Sequence, residues 1–340
     1  MTLSIVMPIY NEEELLEELF RRVTGVMNGV ESKFSMTCQW VLVNDGSRDR
    51  SLEMLRGFAV KDSRIAVLDL SRNFGHQPAI QAGLEYASGD AVVIMDGDLQ
   101  DPPELIPELV QSWKAGNKVV VAQRRSRAER GIKGMLFAGF HSMLARVSDL
   151  KMETGSGVFG LMDRRAVNEV LRLHERNRFL PGLRTWVGFG EAKVLYDREE
   201  RAAGAPKQTF TRLVRYAFDA IFSFSLKPLR AIWTLGFIVS LLSIGYAIFL
   251  LALRVFKIDV VPGFTTPTVA ILLLGGIQLI SIGVLGEYLG RIYDEVKQRP
   301  HYIVGEIISS PKSSVLSPEL NREPTTVMPT LRTQDSALRT

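Results

Sequence analysis

Two carboxylates one residue apart close an apolar run in Val92-Val93-Ile94-Met95-Asp96-Gly97-Asp98-Leu99-Gln100-Asp101-Pro102-Pro103. In extended backbone, side chains at i and i+2 share a face, which would let Asp96, Asp98 and Gln100 converge on one point. Hard divalent cations such as Mg²⁺ and Mn²⁺ take oxygen ligands and keep positions open for water and substrate phosphates. These residue types therefore fit a metal site that holds a diphosphate. An ordinary acidic turn at a strand end is the competing reading of an isolated Asp-x-Asp, and the rest of the chain weighs between them.

The elements that must position these side chains are legible as alternating β and α signals. Leu3 to Pro8 reads as a buried strand, and Asn11 is placed to cap a helix opened by Glu12-Glu13-Glu14. Trp40 to Val43 is a second strand ending at Asn44-Asp45-Gly46-Ser47, followed by a helix through Leu52, Leu55 and Phe58. A strand at Ile65 to Leu70, a helix at Pro78 to Ala87, and strands at Ala91 to Met95 and Val119 to Ala122 continue the series. This order predicts an α/β fold with a mostly parallel sheet covered by helices on both faces. Ligands bind such sheets beyond the carboxyl ends of the strands, where Asp45 and Asp96 both fall.

The 340 residues carry 41 Lys and Arg against 37 Asp and Glu, a net charge of +4, so no strong basic balance points to a nucleic-acid partner. Arginine is concentrated locally, in Arg124-Arg125-Ser126-Arg127 and Arg198-Glu199-Glu200-Arg201; such clusters suit phosphates or membrane headgroups, or are simply a solvated surface. Cys38 is the only cysteine, which excludes an intrachain disulfide and a cysteine-based zinc site. The N-terminus lacks a basic region and a cleavage site, so it reads as a strand of a cytoplasmic domain.

Two apolar blocks set the expected location. Ala231 to Leu253 is about 23 residues and Thr268 to Gly286 about 19, each long enough to cross a bilayer core as a helix, with buried core helices as the alternative. Lys227 and Arg230 precede the first block, and Arg291, Lys297 and Arg299 follow the second; the positive-inside rule then puts both ends in the cytoplasm. The outer loop does hold Arg254 and Lys257. Ahead of the first block, Phe210, Leu213, Val214, Ala217 and Ile221 recur at helical spacing, as in a helix lying in the membrane interface or packing on a domain. The expected organisation is a globular domain over 1–208, a juxtamembrane helix over 209–228, two transmembrane helices within 229–290 (spans about 231–253 and 268–286), and a cytoplasmic segment over 291–340. Ser, Pro and Thr enrichment predicts disorder after about Gly305.

Four ordered segments then match one pattern: Val6-Met7-Pro8-Ile9-Tyr10-Asn11-Glu12, Val43-Asn44-Asp45-Gly46-Ser47, Arg72-Asn73-Phe74-Gly75 and Met95-Asp96-Gly97-Asp98-Leu99-Gln100-Asp101-Pro102-Pro103. Together they resemble the family-2 glycosyltransferases, and more narrowly their polyprenyl-phosphate branch, over roughly residues 3 to 300. The resemblance implies a GT-A-type nucleotide-sugar-binding domain in an inner-membrane enzyme. It implies that Pro8, Tyr10 and Glu12 line the nucleotide pocket, that Asp45 accepts a hydrogen bond from the base, and that Asp96 faces the ribose and the metal. Asp98 and Gln100 would hold Mg²⁺ or Mn²⁺ against the diphosphate. Arg124, Arg127, Arg198, Arg201 and Lys207 are candidates for the lipid phosphate, with Lys207 and Arg201 foremost.

The expected reaction is inverting transfer of one sugar, glucose from UDP-glucose by resemblance, to undecaprenyl phosphate; GDP-mannose, UDP-N-acetylglucosamine or an aminoarabinose donor stay open. Relatives with two spans often assemble through the membrane, which leaves a homo-oligomer open. Two departures stand out. Val158, in Gly155-Ser156-Gly157-Val158-Phe159-Gly160, replaces an Asp of many relatives, with Glu153 and Asp163 as poor substitutes for a base, and Pro181 stands where relatives often have Arg. A phosphate monoester is largely dianionic at neutral pH, which makes the missing carboxylate tolerable. A processive polysaccharide synthase is the rival enzyme, but Leu183-Arg184-Thr185-Trp186 lacks the Gln-x-x-Arg-Trp motif of that class. A non-catalytic membrane scaffold built on a degenerate transferase domain is the rival outside enzymes.

Overall fold

Strand β1 (Thr2–Ile9) is buried along nearly its whole length, a pattern that only a central strand covered on both faces can satisfy. In the computed structural model, which describes residues 1–124, 156–173, 175–176, 178–196, 227–255 and 265–309, β1 lies between β2 (Thr37–Asn44) and β4 (Ala91–Ile94), parallel to both. With β3 (Ile65–Leu70), β5 (Val119–Arg124), β6 (Ser156–Asp163), β7 (Glu191–Tyr196) and β8 (Val304–Ser309) the sheet order is β7-β5-β6-β4-β1-β2-β3-β8. The β1/β2, β2/β3, β1/β4 and β5/β7 pairs are parallel, as the β-α order predicts. Strand β6 runs antiparallel between β4 and β5, a reversal that apolar periodicity does not announce.

Alternate side chains of the strands feed two cores. Leu3, Ile5, Met7 and Ile9 pack with Leu19, Val23, Trp40, Phe58 and Leu109 beneath α1 (Leu16–Phe34), α2 (Ser51–Lys61) and α4 (Ile106–Lys114). Α3 (His76–Tyr86) and α5 (Arg164–Arg172) cover the opposite face, against Val6, Val41, Val43 and Ile94. Each fully buried Leu or Ile side chain contributes about 1.5–3 kcal/mol, so the sheet is held chiefly by this two-sided burial. Gly83 lets α3 approach β1: a Cβ there would stand 2.3 Å from Val6 Cγ1.

Helix α1 begins at Leu16, not at the acidic run, and Asn11 does not cap it. Asn11 has φ +53°, and its Oδ1 accepts from Arg48 N at 2.8 Å. Its carbonyl-bearing side chain is used to join two loops, a demand that overrides its local cap propensity. Α6 (Leu180–Trp186) precedes β7.

The apolar blocks form two long helices, α7 (Lys227–Val255) and α8 (Thr265–Val296), which touch one another. Side chains at some positions of both lie outside the described residues, and among the described residues no helix is long and apolar enough to cross a membrane. After α8 the chain returns to the sheet, and β8 pairs antiparallel with β3. Residues Gly305–Ser309 are thus strand, which moves the expected onset of disorder; residues 310–340 lie outside the described residues. The physical reason is the open edge of β3, whose unpaired backbone groups a strand satisfies. Ser71 N donates to Ile303 O at 2.9 Å, Arg56 pairs with Glu306, and the Tyr302 hydroxyl donates to Glu85. The interfacial helix expected over 209–228 falls outside the described residues except for its last two.

Candidate functional site

The carboxyl ends of β1, β2, β3 and β4 bring four loops to one place, because parallel strands in register deliver their following loops to the same sheet edge. Pro8 is buried within β1 opposite Val43, whereas Tyr10, just past its end, is 40% exposed. The loop after β1 is tied to the loop after β2: Asn11 N donates to Ser47 Oγ at 3.1 Å, Glu12 N to Ser51 Oγ at 3.1 Å and Glu13 N to Asp49 Oδ2 at 3.2 Å. Glu12 itself is partly exposed beside these bonds.

Asp45, at the end of β2, joins the next loop. Its backbone N–H donates to Ile9 O at 2.9 Å, while its carboxylate accepts from Phe74 N at 2.7 Å and Gly75 N at 2.9 Å. Burial pushes its pKa up, and the two backbone donors only partly offset this. Gly46 makes the junction possible: with φ +65°, it presents a face where a Cβ would stand 2.5 Å from Asn73 N. The motifs Asn44–Ser47 and Arg72–Gly75 are therefore one structural unit, and a carboxylate oxygen has lone pairs left for a ligand donor.

His76, the first residue of α3, completes the cluster; its Nε2 lies 2.8 Å from Asp96 Oδ1. Burial disfavours the imidazolium, but the hydrogen bond to Asp96 and the negative charges of Asp96, Asp45 and Asp98 outweigh it and raise the His76 pKa. Sequence reasoning did not single out His76, although it follows Arg72-Asn73-Phe74-Gly75 directly.

Strand β4 ends at Ile94, and residues 97–101 form turns and bends, so Asp96, Asp98 and Gln100 do not share a strand face as the i, i+2 argument expects. Gly97 packs where a Cβ would stand 2.4 Å from Ile9 Cδ1, and Leu99 takes φ +54°. Asp98 Oδ1 instead caps the turn, accepting from Gln100 N at 3.1 Å. Asp96 and Asp98 are partly exposed, whereas Gln100 is buried. Two carboxylates with accessible oxygens fit a Mg²⁺ or Mn²⁺ ion that takes its remaining ligands from phosphates and water. Among the described residues no group of three or more His, Cys, Asp or Glu could hold a metal unaided.

The residues expected to meet an acceptor phosphate are described in part. Arg127, Arg198, Arg201, Lys207 and Glu153 lie outside the described residues. Arg124, at the end of β5, is engaged: its Nε donates to Tyr196 Oη at 3.1 Å, and Nη2 lies 3.5 Å from Asp101 Oδ1. Val158 sits partly buried on β6. Asp163 is committed to structure, since its carboxylate accepts from Trp113 Nε1 at 2.9 Å, Lys118 Nζ at 3.2 Å and Arg165 N at 3.1 Å at the start of α5. Pro181 is buried in the first turn of α6, whose Leu180 N donates to Gln77 Oε1 at 3.1 Å. Arg184, in the segment compared with the processive motif, is buried and paired with Glu191 at 3.2 Å.

Comparison with known proteins gives two family matches, "Glycosyl transferase family 2" over residues 4–171 and "GtrB C-terminal hairpin" over residues 227–292. The chain is 48% identical over 308 residues to an uncharacterized glycosyltransferase of Synechocystis, covering 90% of this chain and 95% of that protein. It is 43% identical to an uncharacterized glycosyltransferase of Bacillus subtilis, covering 88% of this chain and 92% of that protein. With the prophage-derived bactoprenol glucosyl transferase of Shigella flexneri it shares 40% identity, over 89% of this chain and 97% of that protein.

Proposed function

Since the chain belongs to glycosyl transferase family 2, with the α/β, GT-A-like fold of a glycosyltransferase, we propose that it moves a single glucose from UDP-glucose to a polyprenyl phosphate at a membrane. The observation that carries this reading is the 40% identity to a bactoprenol glucosyl transferase along nearly the full length of both chains. It spans the nucleotide-side loops and the hairpin together, the two parts that such a reaction requires.

On this reading the nucleotide sits beyond the ends of β1, β2 and β4, with its base toward Asp45 and Tyr10 and its ribose toward Asp96. Pro8 and Glu12 shape the same pocket. Asp96 and Asp98, with Gln100, would hold the divalent cation, which would supply charge neutralisation for the departing diphosphate. Asp45 and His76 keep the two carboxylate loops in place. The lipid phosphate, already largely a dianion, attacks the anomeric carbon from the opposite face, so inversion follows and Val158 need not supply a base. Lys207 and Arg201, with Arg124, Arg127 and Arg198, are assigned to that phosphate.

The hairpin supports a membrane location. Α7 has 29 residues and α8 has 32, and at about 1.5 Å per residue each exceeds a bilayer core of roughly 30 Å. Large apolar side chains such as Phe237, Leu241, Leu242 and Phe249 stand exposed on α7. Because β8 follows α8 into the same sheet as β1, the hairpin ends on the side of the transferase domain, as two spans attached to that domain require. The catalytic domain and both termini are assigned to the cytoplasm.

The test is transfer of radiolabelled glucose from UDP-glucose into membranes supplied with undecaprenyl phosphate. A chloroform-soluble product carrying one sugar is expected. A water-soluble polymer would establish the processive alternative, and no transfer from UDP-glucose or the other donors would favour a scaffold.

A further inference from the structure

A polar cluster beside the Asp96–Asp98 turn joins the end of that turn to β5 and β7. Asp101 is 4% exposed and Tyr196 5% exposed, yet both carry polar groups. The Tyr196 hydroxyl donates to Asp101 Oδ1 and accepts from Arg124 Nε at 3.1 Å, while Arg124 Nη2 lies 3.5 Å from the same carboxylate oxygen. Arg124 and Tyr196 are register partners at the ends of the parallel strands β5 and β7. The Tyr196 ring is held edge-on against Phe159 of β6, with centroids 5.9 Å apart. Burial and the Asp101 carboxylate together push the Tyr196 hydroxyl up to about 12, so it stays a donor throughout the working range.

The placement of the three residues gives the cluster its consequence. Asp101 ends the turn that begins at Asp96, one residue after Gln100 and three after Asp98. Arg124 and Tyr196 are each the last residue of a strand, so the network ties the ends of β5 and β7 to that turn. Buried networks in which each member is satisfied fix a single geometry, because every alternative strands a polar group away from water.

We propose that Tyr196 is a positioning residue: its hydroxyl, oriented by Arg124, clamps Asp101 and so sets the pose of the Asp96–Asp98 turn. The proposal rests on the metal-dependent reading of that turn.

The test uses full-length protein in detergent and measures UDP affinity by calorimetry with and without Mn²⁺, for the wild type, Tyr196→Phe, Asp101→Ala and the double variant. Tyr196→Phe keeps the ring against Phe159 and removes only the hydroxyl. The expected result is an affinity about tenfold weaker with Mn²⁺ and unchanged without it, the scale on which groups orienting metal ligands act. The double variant should lose no more than Asp101→Ala alone, because the two side chains act through one bond. Equal loss with and without Mn²⁺ would reduce Tyr196 to a packing residue and overturn the proposal, as would an unchanged affinity or additive effects. A wild type whose UDP affinity ignores Mn²⁺ would overturn the metal reading itself, a separate failure visible before any variant is made.

Discussion

His76 Nε2 lies 2.8 Å from Asp96 Oδ1, joining the first turn of α3 to the end of β4 across 20 residues of sequence. The contact links the loop that engages Asp45 to the turn that carries Asp96 and Asp98, so the residues proposed to meet the base and the diphosphate share one connection. His76→Ala should therefore lower kcat/KM about 10- to 100-fold, as loss of a group that orients a ligand does, with little change in Tm. His76→Gln, which keeps a donor of similar reach, should recover part of the activity. Wild-type kinetics in His76→Ala would remove the residue from the site.

Asp98→Ala should reduce transfer by 10²-fold or more, since stabilising charge on the leaving diphosphate is worth several kcal/mol. The protein should still fold and partition into membranes. UDP should no longer raise its Tm in the presence of Mn²⁺, whereas in the wild type it should, by mass action. Near-normal activity would rule out the metal role.

Lys207→Ala should raise the KM for polyprenyl phosphate more than the KM for the nucleotide sugar, because a point charge assigned to the acceptor phosphate does not touch the donor. The opposite split, read from initial rates with each substrate varied in turn, would move Lys207 to the nucleotide side.

Gly46→Ala should destabilise the domain by about 2 kcal/mol or more, combining the strain of a left-handed residue with overpacking. The added Cβ would meet Asn73 N at 2.5 Å and Arg72 C at 2.6 Å, backbone atoms that cannot swing aside. Gly57→Ala, at a helical site with nothing within 4 Å of the Cβ, serves as the control and should be neutral or stabilising in thermal unfolding.

Acid should weaken the fold through Asp163. Burial pushes its carboxyl up, but the bonds from Trp113, Arg165 and Lys118 more than offset this and hold it below the usual range. A carboxylate depressed in the folded state contributes stability that is fully present above the ordinary pKa of about 3.9 and is lost as pH falls through the folded value. Asp163→Asn keeps a helix-capping side chain but no charge. Its Tm deficit should be largest near neutral pH and should shrink as the pH drops below about 4. A deficit independent of pH would show that packing, and not charge, is what Asp163 supplies.

Much of the architecture is legible in the sequence. The apolar runs at Leu3 to Pro8, Trp40 to Val43 and Ile65 to Leu70 became parallel strands, and the blocks after Ala231 became long helices. Burial on both faces leaves a continuous local imprint of Val, Ile and Leu that needs no partner to be recognised. Local rules give way where they meet a distant demand. Asn11 was suited to a helix cap but bonds Arg48 N, and Gly305 to Ser309 look like a tail but complete the edge of β3.

The sequence by itself determined the resemblance to the family, the strands β1 to β5 and the placement of Asp45 and Asp96 just beyond strand ends, because each of these is written in contiguous residues. Only the tertiary structure decided that Asp45 holds the backbone of Phe74 and Gly75, that His76 meets Asp96, and that Asp101 meets Tyr196 across 95 residues. Such pairings depend on sheet order and strand register, including the antiparallel entry of β6, and these are set by the packing of the whole sheet and not by any one segment.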